Sequence, residues 1–193
     1  MGVDVVIGKM LSGIKSGSLS GLPVICAKTG KKMGVIVDIV FKPGRKKIEG
    51  IVISGYGLVE RKRYIPLEQI RTIGKHAVIV ELPQSPSESK SPGFFNRARG
   101  IYGNHIVGYQ LVRGDGQELG QISDIILNPN DGSVEGYEVS KGIIEDIIEG
   151  RSILPYDALN SVSNDAVIVS IEQTDQLQPY NKGIKGMLEA ERN

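Results

Sequence analysis

Few residues in this chain have the types and spacing that catalysis requires. Its 193 residues include two histidines, His76 and His105, and a single cysteine, Cys26. Catalysis by histidine needs a nucleophile within reach and a carboxylate that orients the ring, and neither histidine has such neighbours in a recognisable pattern. We therefore expect two solvent-exposed loop histidines and a protein that is not an enzyme.

Metal and cofactor motifs are also missing from the sequence. One cysteine and two distant histidines match none of the spacings of zinc sites. Gly74-Lys75 lacks the upstream glycine and the following Ser or Thr of a phosphate-binding loop, and the glycines at 114, 116 and 120 are wrongly spaced for a dinucleotide fingerprint. We expect turns at these positions, with no metal and no cofactor.

The chain contains an internal repeat, which is its strongest sequence feature. A segment of Gly, Val, Ile and Asp at residues 30–40 recurs with constant spacing at 116–126, so that Asp38 corresponds to Asp124. The match resumes after a hairpin that is longer in the second copy. The later matching pairs of segments are 64–70 with 153–159 and 77–80 with 166–169.

The two equivalent aspartates raise the question of a carboxylate pair for acid-base chemistry. Equivalent positions in two separate modules are not expected to converge on one substrate. We interpret Asp38 and Asp124 as strand residues whose carboxylates satisfy a nearby backbone or basic group.

Composition and turn signals predict short strands in each copy. Gly is frequent at 25 residues, Trp is absent, and aromatic residues make up only 5% of the chain, which favours β structure with glycine turns. A proline followed by an acidic residue predicts one helical turn before the last strand. For the first copy we predict strands at 22–27, 33–42, 48–54, 58–64 and 77–82, with the helical turn at Pro66–Ile70.

The order of these signals resembles the PRC-barrel family. It runs from an apolar strand and a glycine turn through Gly-x-[IV]-x-Asp-[IV], a mid-module glycine and an Ile/Leu-Pro-Leu/Tyr-Glu/Asp turn to a terminal Ala-Val-Ile-Val strand. The resemblance implies two small PRC-like β-barrels in tandem, each with a short helical turn before its last strand. It is stronger in the first copy, because residues 142–152 depart from the family pattern and lengthen the hairpin of the second.

The resemblance implies an adaptor function. Relatives form the cytoplasmic part of the photosynthetic reaction-centre H subunit and the C-terminal domain of a ribosome maturation factor that contacts a ribosomal protein. The sequence shows no counterpart of the transmembrane helix of the first or of the RNA-associated domain that precedes the second, so we expect neither specific function to carry over. The expected domain plan is an N-terminal segment 1–20, repeats at 21–82 and 107–172, a linker 83–106 and a tail 173–193.

The two repeats carry opposite charge. Residues 21–82 hold twelve Lys and Arg against five Asp and Glu, a net charge of +7, whereas residues 107–172 hold three against twelve, a net of −9. Complementary charge predicts docking between the repeats, docking between two chains, or binding of the basic repeat to an anionic surface such as nucleic acid. The sparse aromatic residues and the adjacent negative field disfavour nucleic acid.

These patterns predict a non-enzymatic adaptor with a protein partner or a second copy of itself. The alternative is an RNA- or ribosome-associated factor that acts through the basic first repeat. Beside the charged turns, the linker brings two phenylalanines next to arginines, which predicts a short helix that packs on the protein, a partner or a membrane surface. The candidate partner-binding residues are Lys46, Lys47, Arg61, Lys62, Arg63, Phe94, Phe95, Glu145, Asp146 and Glu149.

Location is predicted from the cysteine usage and the N-terminus. One cysteine permits no internal disulfide, which favours a reducing cytoplasm. The apolar residues at positions 3–7 are too few and too interrupted for a signal sequence or a membrane span. The tail carries Ile184, Met187 and Leu188 at helical spacing, which predicts one or two amphipathic turns that dock or remain frayed.

Overall fold

The residues that the structure describes are mainly β, as the composition predicts. In this computed structural model they form two sheets, one for each repeat. Candidate residues Arg61, Phe94 and Phe95 and the apolar residues of the tail lie outside the described part. The described residues are 13–55, 62–81, 101–159, 161–163, 166–181 and 183.

The N-terminal half contributes seven strands and two short helical turns. Its long strand carries the repeated glycine and aspartate, and a 3₁₀ turn precedes the last two strands. The strands are β1 (Ile14–Lys15), β2 (Pro23–Cys26), β3 (Lys32–Phe41), β4 (Gly50–Ser54), β5 (Lys62–Pro66), β6 (Ile70–Ile73) and β7 (Val78–Val80), and the 3₁₀ turns are Ser16–Leu19 and Leu67–Gln69.

The C-terminal half repeats this order, with a short helix in place of the first 3₁₀ turn, and adds two more short helices and a last strand. The strands are β8 (Ile101–Tyr102), β9 (Gln110–Arg113), β10 (Glu118–Leu127), β11 (Val134–Ser140), β12 (Ser152–Pro155), β13 (Ser161–Val162), β14 (Ala166–Val169) and β15 (Gln178–Pro179). The helices are α1 (Gly103–Ile106), α2 (Ile143–Ile148) and α3 (Ile171–Thr174), and a 3₁₀ turn spans Tyr156–Ala158.

The strand order of the two sheets confirms the repeat. The first sheet runs β5-β4-β3-β2-β7-β6 and the second runs β12-β11-β10-β9-β14-β13, with β15 added beside β12. In both, the long strand pairs antiparallel with its neighbours, and the last long strand pairs parallel with the first strand of the repeat, as β7 does with β2 and β14 with β9. The fold is therefore two tandem β domains, each with a 3₁₀ turn before its final strands.

The structure adds two local features that the sequence did not predict. Ile70–Ile73 forms the extra strand β6, because Ile70, Thr72 and Ile73 pair with β7 after the 3₁₀ turn has ended. The hairpin of the second repeat is longer, as predicted, with eleven residues between β11 and β12 against seven between β4 and β5. The added residues form α2, and Asp146 accepts hydrogen bonds that hold this helix against the end of β11.

The repeats exchange their first strands. Strand β1, from the segment before the first repeat, pairs with β10 through Ile14 opposite Leu127, and β8 pairs with β3 through Ile101 opposite Phe41. Residues 101–106, assigned to the linker from sequence, thus form β8 and α1. A two-residue strand has no stability of its own, so its place depends on the sheet edge that it finds.

A second junction joins the hairpin turns of the two repeats. Lys47 and Ser133 form an isolated antiparallel bridge. The Ile48 amide donates to the Gly132 carbonyl at 3.0 Å, and the Val134 amide donates to the Lys46 carbonyl at 2.6 Å. Buried side chains from both sheets belong to one continuous apolar core. The repeats therefore pack as one unit, and the sequence had not indicated that they share an apolar core.

Tyr137 places a polar group inside this shared core. Its ring lies 6.1 Å from that of Phe41, between the repeats, and its side chain is fully buried. Burial raises the pKa of the Tyr137 hydroxyl well above its usual value, so the group stays protonated. It has no hydrogen-bond partner within the described ranges.

Tyr137→Phe is expected to stabilise the protein by about 1 kcal/mol, because it removes a buried hydroxyl that lacks a partner. The melting temperature should rise by about 2–4 °C. Tyr64→Phe is the matched control, since the Tyr64 hydroxyl donates to the Glu49 carbonyl at 2.6 Å and its removal should destabilise. Thermal unfolding followed by calorimetry measures both, and a lower melting temperature for Tyr137→Phe would contradict the prediction.

Candidate protein-binding surface

The basic turn between β3 and β4 belongs to the junction between the repeats. Lys47 lies 3.4 Å from Asp131 of the second repeat, and the Lys46 carbonyl accepts the amide of Val134 at 2.6 Å. Docking of the two repeats on each other was one of the three interpretations of their opposite charge, and the structure shows this docking within the chain. The side chain of Lys46 remains exposed.

The other described basic candidates, Lys62 and Arg63, lie near the start of β3, at the end opposite the basic turn between β3 and β4. Lys62 is exposed at the start of β5, and the Arg63 guanidinium donates to the Met33 carbonyl at 2.8 Å. A ten-residue strand is about 33 Å long. The basic candidate residues therefore form two separate groups rather than one continuous patch, and the neighbouring Arg61 lies outside the described residues.

Helix α2 is the most unusual surface feature of the described residues. It spans six residues between β11 and β12 and follows Gly142, whose φ is 126°. All four of its isoleucines are exposed. The exposed fractions are 81% for Ile143, 69% for Ile144, 53% for Ile147 and 47% for Ile148.

Asp146 explains why the isoleucines face solvent. Its carboxylate accepts the Ser140 hydroxyl at 2.7 Å, the Lys141 amide at 3.1 Å and the Arg151 guanidinium at 2.8 Å, and its side chain is only 10% exposed. On an ideal helix the four isoleucines form a stripe about 140° wide that excludes Asp146. The polar side chain thus faces the protein and the apolar stripe faces water, the reverse of an ordinary surface helix.

The three acidic candidates on α2 have different roles. Asp146 is committed to contacts within the protein. Glu149 forms an exposed ion pair with Lys141 at 3.3 Å, and such pairs contribute little to stability. Glu145 is exposed in the first turn of α2. On the same ideal helix Glu145 lies next to the edge of the isoleucine stripe, whereas Glu149 lies on the opposite side. Glu145 therefore adds negative charge beside the isoleucine stripe.

A buried carboxylate anchors the region beneath α2. Glu138 of β11 is fully buried and lies 2.6 Å from the Lys15 ammonium and 2.8 Å from the Arg151 guanidinium. The Ser123 hydroxyl also donates to it at 2.8 Å. Arg151 bridges Glu138 and Asp146, so one cation holds both the sheet and α2.

The hydrogen bonds and charges of this network favour the ionised forms of Glu138 and Asp146. Burial raises the pKa of Glu138, but hydrogen bonds from Lys15, Ser123 and Arg151 outweigh burial and leave the pKa below its ordinary value. The same balance leaves the pKa of Asp146 low. The first repeat has Val52 where the second has Glu138, as the pairing of Val52 with Asp38 and of Glu138 with Asp124 shows. The carboxylate at the centre of the network is therefore present in the second repeat and absent from the equivalent position of the first.

Sequence reasoning missed the network and the isoleucines of α2. The spacing Ile-Ile-Glu-Asp-Ile-Ile at 143–148 was the signal for an apolar helical stripe. The partners of Glu138 had no such signal, because Lys15 is 123 residues away along the chain.

The equivalent aspartates hold the exchanged segments. Asp38 accepts the Asn104 amide of α1 at 3.1 Å, and Asp124 accepts the Ser16 hydroxyl at 2.7 Å and the Gly17 amide at 3.1 Å. Burial raises the pKa of Asp38 despite these backbone hydrogen bonds. Each aspartate thus satisfies backbone groups, as the sequence interpretation predicted, and those groups come from the segment that the two repeats exchange.

Histidine and metal chemistry receive no support from the described positions. His76 and His105 are both exposed, and His105 lies in α1 rather than in a loop. No group of three or more His, Cys, Asp or Glu side chains is arranged to hold a metal within the described ranges. No helix among these residues is both long and apolar enough to cross a bilayer.

The comparison with protein families agrees with the repeat. A family model described as PRC-barrel domain matches the chain at residues 13–85 and again at residues 99–176. Both matches begin before the repeat boundaries expected at 21 and 107 and include the exchanged strands β1 and β8. No curated protein matches the chain. Because the two matches cover most of its length, this chain belongs to the PRC-barrel family and contains two tandem copies of the domain.

Proposed function

We propose that this protein is a non-enzymatic scaffold that binds another protein through the surface of α2. The observation that carries the proposal is the outward isoleucine stripe of Ile143, Ile144, Ile147 and Ile148. A contiguous apolar patch with a charged rim is typical of an interaction surface. PRC-barrel domains are also found in protein-interaction modules.

The rigidity of the support strengthens this proposal. Helix α2 is tied to the sheet by the contacts of Asp146 and Arg151 rather than by its own apolar side chains. A surface whose apolar groups are held in place before binding loses less conformational entropy when a partner arrives. The single cysteine, the buried Cys26, permits no internal disulfide, which fits a reducing compartment, and we place the scaffold in the cytoplasm.

The double substitution Ile144→Asn and Ile147→Asn is expected to abolish capture of the partner protein. Full-length wild type and variant serve as bait in native lysate, with quantitative mass spectrometry of the bound proteins. Ile168→Asn is the matched control, because Ile168 on β14 is as exposed as Ile147, at 53% each. The proposal requires a protein that wild type and Ile168→Asn both retain and the double variant loses. Equal retention by all three baits would refute it.

The RNA- or ribosome-associated alternative depends on the basic first repeat. Lys28 and Lys31 are exposed near the turn between β2 and β3, at the end of the sheet where Lys62 begins β5. The scaffold proposal predicts that the native protein does not sediment with ribosomes in a sucrose gradient. Co-sedimentation that is lost when these three lysines are changed to glutamate would favour the alternative instead.

A further inference from the structure

We propose that the partner segment that binds α2 is an amphipathic helix with basic residues beside its apolar face. This inference rests on the proposed function and specifies the partner. It is argued from the width of the isoleucine stripe, the acidic residue Glu145 beside it and the net charge of the second repeat.

The shape of the stripe fits a helix. Six residues make α2 about 9 Å long, which corresponds to nearly two helical turns. The four isoleucines occupy positions i, i+1, i+4 and i+5 of α2. An apolar face of that length matches the i, i+3, i+4, i+7 anchors of a single amphipathic helix. Isoleucine also has few side-chain rotamers to lose, so the ordering cost on binding is small.

Charge determines the sign of the flanking residues on the partner. Glu145 lies beside the stripe, and the second repeat carries a net charge of −9. Lys or Arg on the partner would form the rim contacts and raise the association rate. An anionic membrane surface would be repelled by the same field.

A second copy of this chain fits the surface less well. Within the described residues, the exposed large apolar side chains all lie between Val107 and Ile171, so the basic first repeat offers none to cover α2. A two-fold antiparallel contact of α2 with itself would bring Glu145 of each copy, and the two acidic second repeats, close together. Like charges at such close range oppose the contact.

The test uses the full-length protein and two synthetic peptides as probes. Both peptides are 18 residues long with leucines at i, i+3, i+4 and i+7 spacing; one carries lysine at the remaining positions and the other glutamate. The isoleucine methyl groups of the protein are labelled with ¹³C and followed by NMR during titration. The lysine peptide should shift the methyl signals of Ile143, Ile144, Ile147 and Ile148 and bind at least tenfold more tightly than the glutamate peptide.

Matched variants locate the binding. Affinity for the lysine peptide should fall at least tenfold in the Ile144→Asn, Ile147→Asn double variant and stay unchanged in Ile168→Asn. Equal affinity for the two peptides, or unchanged affinity in the double variant, would overturn the inference. It is also overturned if the free protein shows nuclear Overhauser contacts between the α2 methyls and its own Ile184, Met187 or Leu188, or if α2 mediates dimerisation in sedimentation experiments.

Failure of this inference differs from failure of the proposed function. If a partner is captured through α2 but the lysine peptide does not bind, the proposed scaffold function stands. Only the inference that the partner segment is a basic amphipathic helix is then refuted. If the wild-type protein captures no partner that depends on α2, both the proposed function and this inference are refuted.

Discussion

Arg151→Met is expected to lower the free energy of unfolding by about 2–3 kcal/mol. It leaves Glu138, which is fully buried, with Lys15 as its remaining cation, and it removes one partner of Asp146. Breaking a buried ion pair by removing one member typically costs about 3–5 kcal/mol. We expect less, because the Arg151 side chain is itself 35% exposed and solvent screens part of the attraction.

Two comparisons make this expectation specific. Glu138→Leu should cost less than Arg151→Met, because it removes the buried charge and leaves two cations that reach solvent. Arg113→Met breaks the pair with Asp115, which lies at 2.7 Å between partly exposed side chains, and should leave the stability unchanged within error. Urea unfolding of the three variants gives the free energies. A larger loss for Glu138→Leu than for Arg151→Met would contradict the role assigned to Arg151.

The network also predicts the response to acid. The folded-state pKa of Glu138 lies below its ordinary value of 4.5 because the hydrogen bonds from Lys15, Ser123 and Arg151 outweigh burial. A depressed pKa contributes stability that is present above the unfolded-state pKa and is lost as the pH falls through the folded-state value. The stability difference between wild type and Arg151→Met should therefore be constant near neutral pH and shrink below about pH 4.5.

The second large effect is expected from alanine at Gly34 or at its equivalent, Gly120. Their φ angles are 156° and 122°, and a Cβ atom there would collide with the backbone carbonyls of Ser54 and Ser140. Strained backbone costs about 1–3 kcal/mol, and the neighbouring strand would also have to move. We expect each alanine to cost about 3 kcal/mol or more.

Matched controls separate the backbone conformation from the close approach of the strands. Gly30 and Gly116 also have positive φ, at 67° and 90°, but nothing lies within 4 Å of a Cβ atom at either position. Alanine at these controls should cost only about 1 kcal/mol, the price of the left-handed conformation alone. Chemical unfolding of the four variants tests this difference, and equal losses at all four positions would show that the close contact between strands has no effect.

The glycines show how far the repeat could be predicted from sequence. Gly34 and Gly120 are the glycines of the repeated Gly-x-[IV]-x-Asp-[IV] segment, so the repeat placed them in equivalent positions. Register shifts lie beside both of them in the sheets. A requirement of this kind depends on residues that are close together in the sequence. Most strands of the repeat, their order and the family could therefore be predicted before the structure.

Helix α2 shows where prediction from sequence fails. The sequence indicated three acidic candidate binding residues, Glu145, Asp146 and Glu149. It does not show which side of the helix faces the protein. An isoleucine stripe ordinarily packs inward. Here Asp146 faces inward instead, because Arg151 and Ser140 bond to it, and the contact of Arg151 with buried Glu138 fixes the guanidinium.

The sequence by itself determined two tandem β domains, the glycine positions and the opposite charges of the repeats, because each depends on local residue types and spacing. Only the tertiary structure decided that β1 and β8 are exchanged between the sheets, that Asp38 and Asp124 hold the exchanged segments, and that α2 exposes its isoleucines. These features depend on partners up to 123 residues apart. A short strand pairs with whichever sheet edge is free, and a buried charge is tolerated only where a distant cation reaches it.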